Sequence, residues 1–199
     1  ENSNFDKAFA SLQNQFGTSV CPVFVPIHEH EKLIGFYSLI TEKAYSTDEK
    51  DGLKEIAVPS SFTDKLSEYS NALAEALAET SDELMEKFFA GESFTHDETV
   101  KALHKGFIEG LISPVFCGSA MGLMGIRSLL DGITTSFCSP SDKGIETLVK
   151  ENGETVEVKM NPDGEPAIFV FKTVADPFVG KMSYFKVMNG TLKKDTILQ

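Results

Sequence analysis

The chain has 199 residues, of which 41% are hydrophobic and 24% charged, and its formal net charge at pH 7 is −12. No stretch approaches the roughly 20 apolar residues that a membrane span needs, and this excess of acids argues against a whole-chain nucleic-acid binder. Three widely spaced cysteines without a Cys-x-x-Cys pair favour free thiols in a reducing compartment over a disulfide framework.

Helical periodicity and short β-type runs alternate through the first sixty residues. Apolar residues at helical spacing over 4–16 predict a helix that ends at Gly17. The β-branched and aromatic run 20–27 predicts a strand, and 33–58 predicts three shorter strands interrupted by a turn at 48–52. Apolar and polar residues alternate irregularly there, so the register of these strands stays open.

Three amphipathic helices are predicted next. Ser60 or Ser61 is placed to cap the first, whose apolar residues over 62–77 recur at spacings of three and four. Capping-box patterns, Thr80 with Glu83 and Thr95 with Glu98, begin the second and third helices. A glycine follows each of these two helices as a C-terminal stop.

The most informative segment runs from Leu111 to Pro140. An apolar strand over 114–117 leads into the small-residue turn Gly118-Ser119-Ala120, and an amphipathic helix follows. Because glycine, serine and alanine have small side chains or none, the backbone N–H groups in such a turn can approach a planar ligand closely.

After Pro140 the composition changes. Residues 141–166 are polar and turn-rich, which is compatible with a linker or with an irregular hairpin. The chain then predicts strands over 168–174 and 182–188 and a last short strand near its end. Three strands cannot close a barrel, so this part is expected to be the start of a longer β domain.

The charge distribution also indicates a change of domain. Residues 165–199 carry five lysines against three acids, so the residues before them hold a net charge of −14. The chain begins at Glu1 without a methionine and ends inside an apolar run. We expect both ends to lie within a longer protein.

Motifs for independent catalysis are missing from the sequence. It contains no Gly-x-x-x-x-Gly-Lys-Ser/Thr phosphate loop, Ser119 lacks the Gly-x-Ser-x-Gly elbow, and Cys117 has only His104 near it in sequence. The run 28–31 places two histidines on one face of a strand without further ligands, so a solvated turn is favoured over a metal site. In the 48–52 turn a lysine occupies a position where a calcium loop needs a ligand.

The stretch 62–92 is strongly acidic, with eight acids against two lysines. Glu75 and Glu79 fall at i and i+4 on one helical surface, where like charges cost roughly a few tenths of a kcal/mol of helix stability. A solvated helix face explains this pattern, and so does a docking face for a basic partner. The sequence leaves both interpretations open.

Several motifs together resemble the bacterial elongation factor G family. The run 176–181 resembles the opening of its second domain, and 81–88 resembles the subdomain inserted in its GTPase domain. Residues 116–120 resemble its guanine motif, while 129–131 and 139–140 resemble the end of its GTPase domain. The order and spacing match through nearly the whole chain, which is more specific than any single motif.

The resemblance implies an α/β fold with an α+β insertion. Residues 1–19 and 112–138 would form the C-terminal part of a P-loop GTP-binding domain, and 20–111 its inserted subdomain. Residues 139–164 would be a linker, and 165–199 the first strands of a β-barrel.

The resemblance also implies a function for the longer parent protein. The parent would bind GTP or GDP with Mg²⁺, hydrolyse GTP on the ribosome and promote translocation in protein synthesis. The phosphate loop, both switches and the Asn-Lys-x-Asp motif would precede Glu1, so the chain alone is expected to be inactive and to hold no cofactor or metal. Gly118, Ser119, Ala120 and Met121 would keep only the guanine contact.

The implied partners are parts of the ribosome. The inserted subdomain would contact the ribosomal stalk protein through Glu75 and Glu79, and the β-barrel would contact small-subunit ribosomal RNA. We expect a monomeric, cytoplasmic protein that does not bind membranes.

Some residues depart from the commonest forms of the family, namely 28–31, the loop 118–125 and Met121. These departures leave open a ribosome-protection or ribosome-recycling paralogue. A non-enzymatic acidic protein-interaction module is the alternative from a different class.

Overall fold

Two units make up the fold, Glu1–Phe137 and Cys138–Gln199. The computed structural model describes residues 3–30, 32–47, 53–139, 142, 144–150 and 152–197. In these residues the first unit combines α-helices with a five-stranded sheet, and the second contains two β-hairpins. The fold is therefore mixed α/β, as predicted. The predicted 48–52 turn and Glu31 lie outside the described residues.

The sheet of the first unit is mixed. Its strands are β1 Val20–Glu29, β2 Lys32–Ser38, β3 Lys43–Ser46, β4 Glu55–Ile56 and β5 Ser113–Phe116. The spatial order is β4-β3-β2-β1-β5, with antiparallel pairing from β4 to β1 and parallel pairing between β1 and β5. β1 is thus the strand that joins the two regions expected to be the GTP-binding domain and its insertion.

Two prolines lie within β1, although proline cannot donate to a strand ladder. Pro22 falls in the part of β1 that pairs with β5, where the register shifts, and Pro26 in the part that pairs with β2. Because the two pairings overlap only at Phe24, each proline has a neighbouring strand on one side alone. The N–H group that each proline lacks therefore does not break hydrogen bonding to a strand on the other side.

The main apolar cluster of the first unit lies on one face of this sheet. The helices are α1 Phe5–Phe16, α2 Thr63–Ala78, α3 Asp82–Ala90, α4 His96–Glu109 and α5 Ile126–Ser136. Alternate residues of β1, such as Val25 and Ile27, are fully buried in one apolar cluster with Leu77 of α2 and Leu103 of α4. Full burial of one such aliphatic side chain contributes about 1.5–3 kcal/mol, so this cluster dominates the stability of the unit.

The helix ends follow the sequence prediction in part. Thr95 and Glu98 form the predicted reciprocal capping box at the start of α4. The predicted cap of α3 is wrong by one residue: the Ser81 side chain accepts from the Leu84 N–H, while the Thr80 hydroxyl donates back to the Leu77 carbonyl. A buried Thr80 is thus used to finish α2 and is unavailable to begin α3.

The start of α2 also differs from the prediction. Residues Ser60–Phe62 form a turn of 3₁₀-helix, and neither Ser60 nor Ser61 caps α2. The Phe62 N–H donates to the Pro59 carbonyl at 3.0 Å, and its ring is buried in the core. Burial of Phe62 therefore sets where the helix begins.

The second unit consists of two antiparallel hairpins in the described residues. They are β6 Ile145–Val149 with β7 Thr155–Lys159, and β8 Ala167–Asp176 with β9 Gly180–Asn189. The first hairpin lies in the segment for which the sequence allowed a linker or a hairpin. The tip of the second is closed by Asp176, whose carboxylate accepts from the N–H groups of Phe178 and Val179 at 2.8 and 2.9 Å.

The last short strand is predicted after Asp195, and residues 198–199 of that segment lie outside the described residues, while Thr196 and Ile197 are not in a strand. Gly190 has a left-handed φ of +72°, which turns the chain away from β9. The Thr191 hydroxyl then donates to the Pro162 carbonyl, and a turn forms between Lys193 and Thr196. These local hydrogen bonds compete with continuation of the sheet.

None of the helices in the described part of the chain combines the length and apolar character that crossing a bilayer requires.

Candidate functional site

The turn that joins β5 to α5 starts where the parallel strand pair ends. Phe116 lies beside Phe24 of β1, and the Cys117 N–H donates to the Phe24 carbonyl at 3.2 Å. Ligands of α/β proteins bind outside the carboxyl ends of parallel strands. Gly118, Ser119 and the residues after them are therefore at a position where this fold class binds ligands.

Ser119 closes this turn on itself. Its N–H donates to the Met124 carbonyl at 2.8 Å, and the Met124 N–H donates back to the Ser119 carbonyl at 3.0 Å. The Ser119 hydroxyl oxygen also accepts from the Gly122 N–H at 3.1 Å. The turn is thus a closed loop of six residues with three internal hydrogen bonds.

Two glycines let the ends of the loop approach each other. A Cβ at Gly118 would lie 2.8 Å from the Met124 carbonyl oxygen, and one at Gly125 would lie 2.7 Å from the Cys117 carbonyl oxygen. Gly125 also has a left-handed φ of +76°. The sequence analysis did not predict the pairing of Ser119 with Met124. The two glycines that directly flank this pair are the sequence signal that could have predicted it.

Of the two backbone N–H groups that were predicted to contact a ligand, one remains available in this loop. Ser119 and Ala120 are the residues whose backbone was expected to contact a planar ligand, and the Ser119 N–H is already used within the loop. Among the described residues, no acceptor is found for the Ala120 N–H. Ala120 is exposed and the Met121 side chain is 98% exposed, so this edge of the loop is accessible.

Cys117 is unsuited to nucleophilic catalysis. Burial raises the pKa of its thiol to about 12, so the thiol stays protonated at neutral pH, and only the thiolate is an effective nucleophile. The same cause raises the pKa of Cys21 to about 12. Cys21 is therefore a small buried side chain, and Cys117 is a partly buried one.

The acidic pair lies on the side of α2 that faces away from the core. Tyr69, Leu73 and Leu77 bury the opposite side, while Glu75 and Glu79 are exposed. The two glutamates differ in their contacts. One carboxylate oxygen of Glu79 accepts a 2.9 Å hydrogen bond from the Thr18 hydroxyl, whereas Glu75 has no ion pair among the described residues.

Both lysines of the segment 62–92 are already paired elsewhere. The Lys65 Nζ lies 3.0 Å from a carboxylate oxygen of Asp6, and Lys87 pairs with Glu98. Neither lysine pairs with Glu75 or Glu79 in the described structure. The exposed face of α2 therefore keeps its negative charge, which is the property a basic partner would recognise.

The histidine run 28–31 lies at the end of β1. His28 and His30 are exposed, and His30 has a left-handed φ of 47° in the turn after the strand. No group of three metal-ligating side chains is found among the described residues. Glu31 and the 48–52 turn, the other positions weighed as metal ligands, fall outside them.

Lysines and aromatic residues share the exposed hairpin β8–β9 of the second unit. Lys172 lies opposite Tyr184 and Lys186 opposite Phe169, and all four are exposed. The Phe178 side chain at the tip is 97% exposed. Cations bind phosphates and aromatic rings stack on bases, so this hairpin carries both kinds of group that nucleic acids contact.

Comparisons with known proteins extend over the whole chain. No family model matches the sequence. The elongation factor G-like protein of Thermotoga maritima is 34% identical over 199 residues, which are all of this chain and 28% of that protein. A crystal structure of a Thermus thermophilus protein matches 95% of this chain and 26% of its own, with a TM-score of 0.72 and 27% identity.

The chain therefore spans about a quarter of the length of the proteins it matches. The match covers the strand–turn–helix at Ser119, the acidic helix α2 and the β-hairpins in one continuous alignment. In sequence and in fold, the chain is therefore similar to a segment of elongation factor G-like proteins.

Proposed function

We propose that this chain supplies the base-contacting turn and the partner-docking subdomain of a translational GTPase, which binds GTP with Mg²⁺, hydrolyses it on the ribosome and promotes translocation. The observation that carries the proposal is the closed Ser119–Met124 loop at the end of β5, with the Ala120 N–H left without an acceptor in the described structure. Similarity to the elongation factor G-like protein of Thermotoga maritima supports the rest of the proposal.

The loop has the chemistry for selecting guanine. Guanine has the acceptor O6 where adenine has the donor N6–H₂. A single fixed N–H donor at Ala120 therefore favours guanine, because adenine would place two donors against each other. The three hydrogen bonds within the loop keep this donor in place before the base arrives, which lowers the ordering cost of binding.

Phosphoryl transfer needs groups that this sequence does not contain. Catalysis of GTP hydrolysis depends on a phosphate-binding loop, a metal ion and a positioned water. The 199 residues include no Gly-x-x-x-x-Gly-Lys-Ser/Thr string. We therefore expect the isolated chain to bind neither GTP nor GDP with micromolar affinity, and we assign hydrolysis to the longer protein.

Complementation tests the proposed role. The longer protein that contains this chain is added to a translation system depleted of elongation factor G, and peptide synthesis and GTP hydrolysis are followed. Ribosome-stimulated hydrolysis with restored synthesis supports translocation. Hydrolysis accompanied only by ribosome splitting, or only by rescue from an inhibitor, would assign a recycling or protection role instead. Absence of ribosome-stimulated hydrolysis contradicts the proposal.

We also propose that the face of α2 with Glu75 and Glu79 docks the lysine-rich domain of the ribosomal stalk protein. The support is that Glu75 and Glu79 are exposed and that neither forms an ion pair with Lys65 or Lys87 in the described structure. Glu75→Lys/Glu79→Lys should weaken binding to the stalk protein and flatten its salt dependence. Glu109→Lys/Glu157→Lys makes the same charge change at exposed positions outside α2 and serves as the control.

One further variant separates charge from structure. Glu79→Lys also removes the hydrogen bond from Thr18, so a loss of binding could arise from local rearrangement. Thr18→Val removes that bond and keeps both carboxylates. Stalk binding that is unchanged in Thr18→Val and reduced in Glu75→Lys supports docking through charge. If Glu75→Lys/Glu79→Lys binds the stalk protein at low salt with unchanged affinity, docking through charge is contradicted.

For the second unit we propose contact with small-subunit ribosomal RNA through the exposed lysines of β8–β9. Lys172 and Lys186 stand beside exposed aromatic rings on this hairpin. Each lysine that neutralises a phosphate adds roughly 0.7–0.9 to the slope of log affinity against log salt. Replacing both with glutamine in the longer protein should reduce the salt slope of ribosome binding by about that amount per lysine. An unchanged slope contradicts this contact.

A further inference from the structure

A partly enclosed cavity of about 280 Å³ lies between α2 and the segment that joins α3 to α4 in the first unit. Its apolar walls include Leu73 of α2, Phe88 of α3 and Phe94. None of the residues 118–121 lines it, and neither of the glutamates proposed to dock the stalk protein does so. A ligand bound in this cavity is therefore independent of the proposed function.

Two carboxylates stand at the rim of the cavity without a cation opposite them. Glu42 lies between β2 and β3 and Glu92 between α3 and α4, and both are exposed and line the cavity. Neither forms an ion pair among the described residues, and Lys87 of α3 pairs with Glu98 instead. The described lining contains no lysine, arginine or histidine. The cavity therefore attracts cations and repels anions.

A buried hydroxyl in the same cavity lacks a partner. Thr99 of α4 lines the cavity and is only 9% exposed. Its hydroxyl forms no hydrogen bond within the described part of the chain. The oxygen is not sealed off by protein atoms, as the unpartnered hydroxyls of Ser128 and Ser136 are. Buried polar groups are almost always hydrogen-bonded, and a donor that enters the cavity would complete this one.

We propose that this cavity binds an ammonium group carried on an unbranched alkyl chain, as in a lysine side chain. The ammonium group donates three hydrogen bonds and accepts none, and Glu42, Glu92 and the Thr99 hydroxyl offer it oxygen acceptors. The alkyl stem packs on the apolar walls while the charged head stays at the polar groups. A cavity of about 150 Å³ holds one benzene ring, so 280 Å³ has room for such a chain.

The methylamides of acetyl-lysine and acetyl-norleucine are suitable probes because they share the alkyl chain and differ in the ammonium group. Each is titrated into the 199-residue chain, and backbone amide chemical shifts are followed by NMR. The lysine compound should give saturable shifts around Glu92 and Thr99. It should bind at least about tenfold more tightly than the norleucine compound, which is the usual worth of a hydrogen bond to a charged group.

Putrescine, a free diamine, distinguishes two sources of the same group. Tighter binding of the lysine compound supports the side chain of a partner protein as the natural ligand. Tighter binding of putrescine supports a free polyamine. Both results support an ammonium site.

Thr99→Val removes the hydroxyl and keeps the shape of the side chain. It should weaken binding of the lysine compound about tenfold and leave the norleucine compound unaffected. Ser136→Ala is the matched control, because it removes a buried, unpartnered hydroxyl that does not line the cavity, and it should change neither affinity. Ala74→Leu narrows the cavity from the α2 side and should remove binding of both compounds.

The carboxylates are tested in the same way. Glu42→Gln/Glu92→Gln should weaken binding of the lysine compound about two- to tenfold and flatten its salt dependence. Glu83→Gln/Glu86→Gln makes the same charge change at exposed positions of α3 that do not line the cavity. This control should have a smaller effect.

Four outcomes would overturn the proposal. Absence of saturable shifts with the lysine compound would mean that the cavity holds water only. Equal affinity for the lysine and norleucine compounds would mean that the ammonium group is not recognised. Unchanged lysine affinity in Thr99→Val, or equal weakening by the two glutamine pairs, would mean that general charge attraction alone operates. Far-ultraviolet circular dichroism of each variant checks that a loss of binding does not come from unfolding.

Discussion

The Tyr69 hydroxyl donates a hydrogen bond of 2.5 Å to a carboxylate oxygen of Asp6. This bond ties α2 to α1, and Lys65 on α2 adds an ion pair to the second oxygen of the same carboxylate at 3.0 Å. The Tyr69 ring also meets Phe5 edge to face at 5.7 Å. α1 belongs to the region expected to be the GTP-binding domain and α2 to its insertion, so these contacts join the two.

Tyr69→Phe tests this junction. The ring contacts are kept and only the hydroxyl is lost, so we expect a loss of about 1 kcal/mol in the free energy of unfolding, because the Asp6 side chain is half exposed. Chemical denaturation measures it. Tyr45→Phe, which removes an exposed hydrogen bond to Thr41, is the control and should cost less than about 0.5 kcal/mol. Equal effects of the two changes would contradict a special role for Tyr69.

The same variant should change the ionisation of Asp6. Burial acts to raise the pKa of this carboxyl, but the hydrogen bond from Tyr69 and the contacts with Lys65 outweigh it, so the pKa lies below its ordinary value. Tyr69→Phe should move the Asp6 pKa upward. A carboxyl-carbon NMR titration measures the shift, and an unchanged pKa would show that the hydroxyl contributes nothing to the charge of Asp6.

Acid should weaken the contact between α3 and α4 through Glu98. The hydrogen bond from Lys87, followed by that from the Thr95 N–H, lowers the pKa of Glu98 from 4.5 to about 2. A carboxyl whose pKa is lower in the folded protein stabilises it above the unfolded pKa, and this stabilisation is lost as the pH falls toward the folded pKa. The loss should therefore occur between pH 4.5 and about 2.

Glu98→Gln isolates this charge, because glutamine can still complete the capping box with Thr95. The difference in Tm between the original chain and the variant should shrink as the pH falls through that window. The Tm difference caused by Lys87→Met should shrink in the same pH window. The Tm of the double variant should be close to that of either single variant, because both changes remove the same ion pair. A difference in Tm that stays constant across the window would contradict the assignment.

Gly132→Ala should destabilise the first unit, although alanine is the better helix former. The helix gains about 1 kcal/mol from the exchange. A Cβ at this position, however, would lie 2.5 Å from the ring of Phe116, and overpacking of this kind costs about 1–3 kcal/mol. We expect a net loss of about 1 kcal/mol by chemical denaturation. In a Phe116→Leu background the sign should reverse, and a penalty that persists there would exclude this clash as the cause.

The loop 161–165 of the second unit should depend on Asn189. Its side-chain oxygen accepts from the Asn161 N–H and its side-chain nitrogen donates to the Glu165 carbonyl, both at 2.9 Å. Asn189→Ala removes both bonds, and amide hydrogen exchange at residues 161–165 should become about tenfold faster. Asn152→Ala, in the turn between β6 and β7, should leave this exchange unchanged. Equal protection in both variants would contradict the contact.

Local signals in the sequence predicted much of this fold. The capping box at Thr95, the helix over 4–16 and the strand–turn–helix around Ser119 depend on neighbouring residues, and the structure contains all three. The start of α2 was missed because burial of Phe62, a tertiary effect, determines it. Likewise Thr80 has the right spacing for a cap, but its hydroxyl is used by the preceding helix.

The sequence predicted where the candidate site lies in the chain, but it did not predict the hydrogen bonds that shape the site. Small residues after an apolar strand indicate a turn that a ligand can approach, and Gly118 to Met121 lie in such a turn. The bond between Ser119 and Met124 needs the whole loop to be closed, so no short motif contains it. The contact between Thr18 and Glu79 joins residues far apart in sequence and could not be seen in the helical pattern alone.

The loop at Ser119 is proposed above all to contribute a backbone donor for guanine. Calorimetric titration of GDP into the longer protein tests this role, with Ala120→Pro removing the N–H and Leu123→Ala, an exposed change in the same loop, as the control. We predict GDP binding that is at least about tenfold weaker in Ala120→Pro and unchanged in Leu123→Ala. GDP affinity in Ala120→Pro equal to that of the original protein would contradict the proposed donor.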